Sequence, residues 1–459
     1  MTEALPLAGL RTAEYAYLDE KHHIYLDHTG AGLPARRQLA EHAGRLTSDA
    51  YGNPHSLNPT STASGELVER ARAAVLRHFN ADPAEYAAVF TPNATGALRL
   101  VGEAYPFTRL SRLVLLMDNH NSVNGLRQFA RARRARTTYV PLDLPELRTS
   151  EGAVRDALSG RRRGLFVYPA QSNFSGVRHP LDWVDLAHDA GYDVMLDAAA
   201  FVPTGRLDLS VVRPDFVAVS WYKVFGFPTG IGSLIVRREA MDRLRRPWFS
   251  GGTIHVVSAQ AKWHRMADNE SAFEDGTLNF LHIPDVETGL NFIGKVGIEA
   301  VQAHVGNLTD RLLQGLRALT HRSGAPMVRL YGPAGTDMRG GTVSFNLLDA
   351  QGAVIDERIV SRDSAAHGIS LRTGCFCNPG AGEAAFGIGV PDLRRAARGT
   401  TGTIDDYLGR LDLPSGGAVR VSLGLSSNRA DVEAFLRFVE DTYRDRAPLT
   451  AGLPSRLTC

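Results

Sequence analysis

The sequence predicts an α/β fold with a mostly parallel sheet in a three-layer large domain, accompanied by a smaller α+β domain. Short apolar runs rich in Val, Leu and Phe recur along the chain, and such runs are typical of strands buried on both faces. Helical patterns alternate with these runs, as in strand-helix-strand units. The pattern changes near residue 292. We therefore expect a large domain over residues 26–295 and a small domain formed by residues 1–25 and 296–459.

The elements of the large domain follow from the periodicity of apolar residues. An early helix is predicted because one helical face would carry Leu67, Ala71, Ala74, Val75 and Phe79. The predicted strands are residues 113–117, 165–168, 194–196, 216–219 and 233–236. Helices are predicted between them, at residues 121–134 and 181–190. The sheet is therefore expected to carry helices on both of its faces.

The elements of the small domain begin with a long amphipathic stretch. It predicts a helix that bridges the two domains, marked by Val301, Val305, Leu308, Leu312, Leu316 and Leu319. Half-exposed strands are predicted at residues 342–347 and 418–423, and helices at 354–367 and 431–443. Residues 399–417, rich in glycine and threonine, predict a surface insertion.

Composition excludes several classes of protein. With 44% hydrophobic and 22% charged residues among 459, the chain is not disordered, collagenous or a coiled coil. The net charge of +2 does not indicate a nucleic-acid or membrane partner, and the arginine-rich segments 131–136 and 161–163 are typical of solvated surface. No apolar run approaches the roughly 18 residues of a spanning helix, and residues 1–20 lack a secretion signal. We expect a cytoplasmic enzyme.

The three cysteines, Cys375, Cys377 and Cys459, are too few for a disulfide framework. We expect them to be free thiols in a reducing compartment. No second pair of cysteines or histidines follows Cys375 and Cys377 at ligand spacing, so no metal site is predicted.

Lysine is rare in this chain, because only four of the 51 basic residues are lysines: Lys21, Lys223, Lys262 and Lys295. Lys223 follows a buried strand and precedes a glycine-rich turn, a place from which a loop presents side chains at the carboxyl edge of a sheet. A desolvated lysine loses its proton more readily and becomes nucleophilic toward an aldehyde. Lys223 is therefore a candidate for a Schiff base, and the alternative is a surface lysine with its charge in solvent.

Three other strand ends carry candidate site residues. Asp197 follows a strand and could pair with a pyridinium nitrogen, or it could be a cap or turn residue. Residues 91–96 open a helix with small residues, which suits a phosphate group but is common at helix starts. His120 ends another strand and could stack on a flat ring, or it could be a satisfied loop histidine.

Taken together, these residues resemble a known family. The order and spacing of Asn93-Ala94-Thr95, His120, Asn173, Asp197 and Ser220 to Lys223 are similar to those of the pyridoxal-phosphate enzymes of the class V aminotransferase and cysteine desulfurase family, which have fold type I. Five segments most resemble the amino-terminal, cysteine-acting domain of molybdenum cofactor sulfurases: residues 25–28 (YLDH), 52–56 (GNPHS), 169–176 (PAQSNFSG), 225–230 (FGFPTG) and 372–378 (RTGCFCN).

The resemblance implies a role for each site residue. Lys223 would hold pyridoxal phosphate as a Schiff base, Asp197 would pair with the ring nitrogen, and His120 would stack on the ring. The phosphate would be bound by the amide of Ala94 and by Thr95 and Ser220. Asn173 would face the ring hydroxyl and the substrate, and Arg372 would clamp the substrate carboxylate in a fork.

The resemblance also implies a homodimer and shows two departures. The segment ending in Thr253 resembles one that reaches into the phosphate site of a neighbouring protomer. Tyr222 replaces the histidine that cysteine desulfurases carry before the lysine, and Ala200 replaces a glutamine that donates to the ring hydroxyl. His28 lies in a segment expected near the substrate.

Cys377 stands five residues after Arg372, where desulfurases carry the cysteine that accepts sulfur. On a mobile loop near a cationic cofactor site, its thiolate would attack the sulfur of bound cysteine and become a persulfide. The alternative is an accessible thiol without a role. Cys375 would be a resolving thiol or a bystander.

The function implied is cleavage of the carbon-sulfur bond of L-cysteine or an S-substituted cysteine. One route gives alanine and a persulfide on Cys377, and the other is β-elimination to pyruvate, ammonia and a thiol. Transamination, epimerisation or oxidative decarboxylation or deamination of a sulfur-containing amino acid stay open. A binding protein without catalysis is disfavoured because Lys223, Asp197 and Arg372 occur together. Because the chain ends soon after the small domain, we expect a stand-alone enzyme of a biosynthetic pathway, with an amino-acid substrate and an unidentified sulfur acceptor.

Overall fold

A computed structural model describes residues 7–398, 403–411, 413, 415–446, 453 and 455–456. Among these residues, no helix combines the length and apolar character needed to cross a bilayer.

The strands form one large sheet and three smaller ones. They are β1 (Ile24–Tyr25), β2 (Tyr86–Thr91), β3 (Arg112–Leu116), β4 (Arg136–Val140), β5 (Gly164–Pro169), β6 (Asp193–Asp197), β7 (Phe216–Ser220), β8 (Gly232–Arg237), β9 (Ile254–Ser258), β10 (Trp263–Met266), β11 (Val328–Tyr331), β12 (Thr342–Leu347), β13 (Ile369–Ser370), β14 (Arg372–Gly374) and β15 (Ala418–Ser422). The large sheet has the order β2-β8-β7-β6-β5-β3-β4. Strands β7, β6, β5, β3 and β4 are parallel, whereas β8 is antiparallel to both neighbours. The prediction of a mostly parallel sheet is confirmed.

The helices surround these sheets. They are α1 (Leu10–Glu14), α2 (Ala16–Glu20), α3 (Arg36–Ser48), α4 (Pro59–His78), α5 (Ala94–Ala104), α6 (Asn121–Asn124), α7 (Leu126–Ala132), α8 (Glu151–Leu158), α9 (Trp183–Asp189), α10 (Trp221–Phe225), α11 (Arg238–Arg243), α12 (Pro284–Val296), α13 (Ile298–Ala318), α14 (Glu357–Ala366), α15 (Pro379–Ala385), α16 (Val390–Ala397), α17 (Ile404–Arg410) and α18 (Arg429–Tyr443), with a 3₁₀ turn at Glu270–Phe273.

The large sheet separates two hydrophobic clusters, which makes the domain three-layered. In β3, Val114 and Leu116 belong to one cluster and Leu113 and Leu115 to the other. The first cluster includes residues of α4 and α12, and the second includes residues of α5 and α7. Because successive side chains of a strand point to opposite faces, helices cover both sides of the sheet.

The smaller sheet has the antiparallel order β11-β12-β15-β14. The expectation of half-exposed strands is wrong, since every residue of β12 and β15 is buried. Helices α13 and α14 pack on this sheet, and the hydroxyl of Ser344 in β12 donates to the carbonyl of Phe174 in the large domain. The sheet is therefore covered by both its own helices and the neighbouring loops.

Two predicted segments differ in detail from the structure. The helix expected over residues 121–134 is divided at Gly125 into α6 and α7. Within the expected insertion at 399–417, the structure describes α17, while residues 399–402, 412 and 414 lie outside the described residues, as does Cys459. The division of the chain at residues 25 and 295 stays a prediction.

Candidate active site

The site lies at the carboxyl edge of the parallel strands. The segments that follow β3, β5, β6 and β7 meet at this edge, as expected for parallel strands. They line one cavity of about 650 Å³. Its walls include eight of the nine residues predicted to bind the cofactor: Ala94, Thr95, His120, Asn173, Asp197, Ser220, Tyr222 and Lys223.

One end of the cavity is formed by the start of helix α5. Asn93 caps this helix by accepting a hydrogen bond from the amide of Gly96 at 3.0 Å. The amide of Ala94 donates to Ser220 Oγ at 2.8 Å, and Thr95 Oγ1 lies 2.8 Å from Ser122 Oγ. Backbone amides and hydroxyls at a helix start favour an anion, so this end suits a phosphate group.

Lys223 and Asp197 face the same cavity from neighbouring strand ends. Asp197 ends β6, and its Oδ1 accepts a hydrogen bond from the amide of Ala199 at 3.1 Å. Burial lowers the pKa of Lys223 below its usual range, while the charge of Asp197 raises it and the charges of Arg420 and Arg372 lower it further. A lysine in this environment reaches its neutral, nucleophilic form at lower pH than an exposed one.

His120 is held as a neutral ring with a defined tautomer. It caps helix α6, and its Nδ1 accepts a hydrogen bond from the amide of Ser122 at 3.1 Å. Because Nδ1 accepts, the proton of the neutral ring is on Nε2. Burial lowers the pKa of His120. The charge of Asp197 raises this pKa, whereas the charges of Lys223 and Arg420 lower it further.

A charged cluster of Asp27, Arg372 and Arg420 lies beside the cavity. Arg420 is almost fully buried in β15, where it donates to Asp27 Oδ1 at 2.9 Å and to the carbonyl of Asn173 at 3.1 Å. Arg372 is about half exposed and donates through Nε and Nη2 to Asp27 Oδ2, at 3.0 and 2.7 Å. The fork predicted to clamp a substrate is therefore engaged with Asp27 in this structure.

Sequence reasoning missed Arg420. Its charge lowers the pKa of both Lys223 and His120, whereas the charge of Arg372 lowers the pKa of Tyr222 and, less strongly than Arg420, that of Lys223. The signal in the sequence was a single charged residue inside the otherwise apolar run at 418–423.

Cys377 lies on a loop that is tied to the large domain. Its carbonyl accepts from the amide of Asn121 at 2.7 Å, and the carbonyl of Phe376 accepts from Asn173 Nδ2 at 2.8 Å. Asn378 Nδ2 donates to Asp118 Oδ1 at 3.0 Å and to Asn173 Oδ1 at 2.9 Å. These bonds hold the backbone on both sides of the thiol in this structure, and the mobility of the loop stays a prediction.

The cysteines themselves differ from one another. Cys377 is a free, exposed thiol, although it is not one of the residues that line the cavity. Cys375 is disulfide-bonded, so the expectation of a free thiol there is wrong. Across the described ranges, no group of three or more His, Cys, Asp or Glu side chains could hold a metal ion.

Thr253 and His28 lie outside this cavity. The Thr253 hydroxyl is buried in its own loop, where it accepts from the amide of Ser250 and donates to the Ser250 carbonyl, both at 2.8 Å. His28 lines an adjoining chamber of about 550 Å³ that also contacts Lys223. His28 Nε2 lies 3.2 Å from Ser426 Oγ, and burial lowers the pKa of His28 to about 4.

Comparisons with known proteins decide the family. The Aminotransferase class-V family model matches residues 24–435. The chain belongs to this family. It is 36% identical to human molybdenum cofactor sulfurase over 95% of its own length and 51% of that protein. The chain thus spans about half the length of this curated relative.

Solved structures of this class have the same fold. A cysteine desulfurase from Thermococcus onnurineus superimposes with a TM-score of 0.79 at 23% identity, over 96% of this chain and 99% of that one. A cystine C-S lyase in complex with its product cysteine persulfide superimposes with a TM-score of 0.69 at 17% identity, over 91% of this chain and 97% of that one. The expected fold type I is confirmed.

Class V aminotransferases are enzymes that depend on pyridoxal 5′-phosphate, so the expectations of an enzyme and of this cofactor are confirmed for the family. The cavity of this class V chain fits the group. Its helix start offers amides and hydroxyls to a phosphate, the Asp197 carboxylate suits a protonated ring nitrogen, and Lys223 supplies an amine. The three chemical features that bind the cofactor are present in one cavity.

Proposed function

We propose that this chain binds pyridoxal phosphate covalently through Lys223 and cleaves the carbon-sulfur bond of L-cysteine or an S-substituted cysteine. One observation carries the proposal. A cavity with Lys223 and Asp197 in its walls lies next to a loop that fixes the free thiol of Cys377 through Asn121 and Asn173.

Each wall of the cavity has a role in this proposal. Ala94, Thr95 and Ser220 bind the phosphate at the start of α5, and Asp197 keeps the ring nitrogen protonated. His120, neutral and held by Ser122, stacks on the ring face. When bound, pyridoxal phosphate delocalises the electron pair left on the substrate when its α-carbon loses a proton.

The proton transfers fall to Lys223. Lys223 would hold the cofactor until a substrate amine takes its place, and its amine would then be free to take the α-proton. Burial lowers its pKa, which increases the fraction of neutral amine near neutral pH. Arg420 holds the substrate carboxylate in this proposal, since it is buried beside Asn173 and its charge acts on both Lys223 and His120.

Two routes lead from this point, and both balance. In desulfuration, the Cys377 thiolate attacks the substrate sulfur, a sulfur-sulfur bond forms, and the carbon-sulfur bond breaks with its electrons left on carbon. The β-carbon then takes a proton and the α-carbon regains the one held by Lys223, which gives alanine. In elimination, the thiol leaves with the bonding electrons and water hydrolyses the remainder to pyruvate and ammonia. The position of the Cys377 loop beside the cavity, where it is bonded to Asn121 and Asn173, supports desulfuration.

Elimination is the second candidate because Cys377 does not line the cavity, and because the neighbouring fold includes a cystine C-S lyase. A thiol outside the cavity must approach the substrate before it accepts sulfur. Without that approach, the leaving thiol would depart into solvent.

We further infer a homodimer. Large apolar side chains are exposed on the β9–β10 hairpin and the segment before it: Trp248, Phe249, Val256, Val257 and Trp263. An exposed apolar group of this kind is typical of a subunit interface. The Thr253 loop lies between these residues, which supports the proposed contact of that loop with a neighbouring protomer.

Product analysis tests the proposal. The protein is reconstituted with pyridoxal phosphate, incubated with L-cysteine and with an S-alkyl cysteine, and the products are identified by chromatography. Alanine that disappears in Cys377→Ser supports desulfuration, and pyruvate that persists in the same variant supports elimination. A carbon product of the substrate that still carries the sulfur, or no product from a protein with bound cofactor, would overturn the proposal.

A further inference from the structure

Gln171 occupies a position in the cofactor cavity that no role in the proposed reaction uses. It lies two residues after the end of β5, and the amide of its neighbour Ala170 donates to the carbonyl of Asp197 at 2.9 Å. The side chain is almost fully buried and lines the same cavity as Asp197 and Lys223.

The orientation of the Gln171 amide is fixed by Arg178. The guanidinium Nε of Arg178 donates to Gln171 Oε1 at 3.1 Å. Because a guanidinium only donates hydrogen bonds, the amide atom that faces it must be the oxygen. Arg178 is itself held by the carbonyl of Thr204 at 2.8 Å and lies over the ring of Phe201.

The backbone of Gly340 packs against the same amide. A Cβ at Gly340 would overlap Gln171 Oε1, so the amide fits only because this residue is glycine. Within the part of the chain that the structure describes, Gln171 Nε2 donates to no protein atom, and it is not sealed among packed side chains. The donor therefore borders open space, and Gln171 lines both the cofactor cavity and the adjoining chamber that His28 lines.

We propose that Gln171 donates a hydrogen bond from Nε2 to the phenolic oxygen of bound pyridoxal phosphate. The phosphate belongs to the start of α5 and the ring nitrogen to Asp197, which leaves this oxygen as the acceptor without a partner. The side-chain amide of Asn173 is bonded to the Cys377 loop, where it donates to the carbonyl of Phe376 and accepts from Asn378. The small side chain of Ala200 lines the cavity and offers no donor.

The hydrogen bond has a measurable consequence on the cofactor itself. The phenolic oxygen shares a proton with the nitrogen that links the cofactor to Lys223, and its negative charge grows when that proton leaves. An external donor therefore favours the deprotonated form and lowers the pKa of the link. Removal of the donor therefore raises the pKa of this link. The inference rests on cofactor attachment to Lys223 and not on which bond the enzyme breaks.

The test is a pH titration of the visible absorption band of the reconstituted protein, without substrate. In Gln171→Leu, which keeps the volume but removes the donor, we expect the pKa of the band to rise by about one unit, a tenfold change in proton affinity. In Gln171→Leu with Ala200→Gln, an amide is returned to the cavity from the next strand end, and the pKa should move back toward the wild-type value. The thermal midpoint of the apo-protein is measured for each variant.

The outcomes separate the alternatives. An unchanged pKa in Gln171→Leu, with only a lower thermal midpoint, would overturn the inference and leave Gln171 as a support for Arg178. If that variant fails to fold, Gln171→Glu is used instead, because it replaces the donor with a carboxylate that pairs with Arg178. The pKa of the visible band must also rise in this variant. A wild-type protein that forms no visible band contradicts cofactor attachment itself, which is a different failure.

Discussion

The carbonyl of Cys377 accepts a hydrogen bond of 2.7 Å from the amide of Asn121, the residue that follows His120 in the chain. The thiol that is proposed to accept sulfur is thereby fixed beside the histidine that is proposed to stack on the cofactor. Both Phe376 and Cys377 have positive φ angles of 54°, a conformation that non-glycine residues rarely adopt without support from their surroundings.

Asn378 supplies part of that support, so Asn378→Ala should release the loop. The variant loses the hydrogen bonds to Asp118 and Asn173. A hydrogen bond to a charged group contributes about 1.5–3 kcal/mol to stability. Because this free energy holds the thiol in place, its loss should lower the rate of alanine formation by about tenfold. The visible cofactor band should be unchanged, because Asn378 does not line the cavity.

A matched control separates this effect from the loss of a helix cap. Asn378 caps α15, and Asn428 caps α18 in the same way, far along the chain. Asn428→Ala should lower stability without a change in the alanine rate at a temperature where it is folded. Equal losses of rate in the two variants would contradict the proposed role of Asn378.

Arg420 and Arg372 should respond differently to replacement by lysine. Lysine keeps the charge but loses the planar fork that pairs with a carboxylate. We expect Arg420→Lys to raise KM for cysteine by about tenfold, and Arg372→Lys to raise it less, because Asp27 occupies both Nε and Nη2 of Arg372 but only Nη2 of Arg420. Steady-state kinetics of the two variants provide the measurement. A larger effect on KM from Arg372→Lys would reverse the assignment.

Acid should destabilise the fold through His28. Burial lowers the pKa of His28 from 6.5 to about 4, so between these values the unfolded chain binds a proton that the folded chain does not. Stability therefore falls as the pH falls through this window, by up to about 3 kcal/mol from this residue. Urea unfolding at several pH values should show a smaller loss in His28→Gln, which can still bond Ser426 but does not titrate. Parallel curves for wild type and variant would refute this.

The residues whose place in one cavity could be predicted are those fixed by local pattern. Asp197 ends a parallel strand and Lys223 follows one, and all such ends lie at one edge of a sheet, so the cavity they share follows from the order of the strands. The start of α5 could be located in the same way, since a helix after a buried strand places its first amides at that edge.

The residues that were missed depend on contacts between distant segments. Arg420 reaches the site because β15 pairs with β14 and because Asp27, nearly four hundred positions earlier in the chain, bridges to it. Asn378 holds the Cys377 loop through Asp118, on another strand end. The same cause explains the incorrect expectation of half-exposed strands, because β12 and β15 are covered by parts of the chain remote in sequence.

The account rests on Lys223 as the residue through which the cofactor breaks the carbon-sulfur bond. The direct measurement is the conversion of L-cysteine to sulfur-free three-carbon products by reconstituted wild-type protein and by Lys223→Arg. With dithiothreitol present to remove the persulfide sulfur, wild type should form alanine or pyruvate over many turnovers, and Lys223→Arg should form neither while it still binds the cofactor phosphate. Cysteine that remains intact with the cofactor-loaded wild type, or equal conversion by Lys223→Arg, would contradict the account.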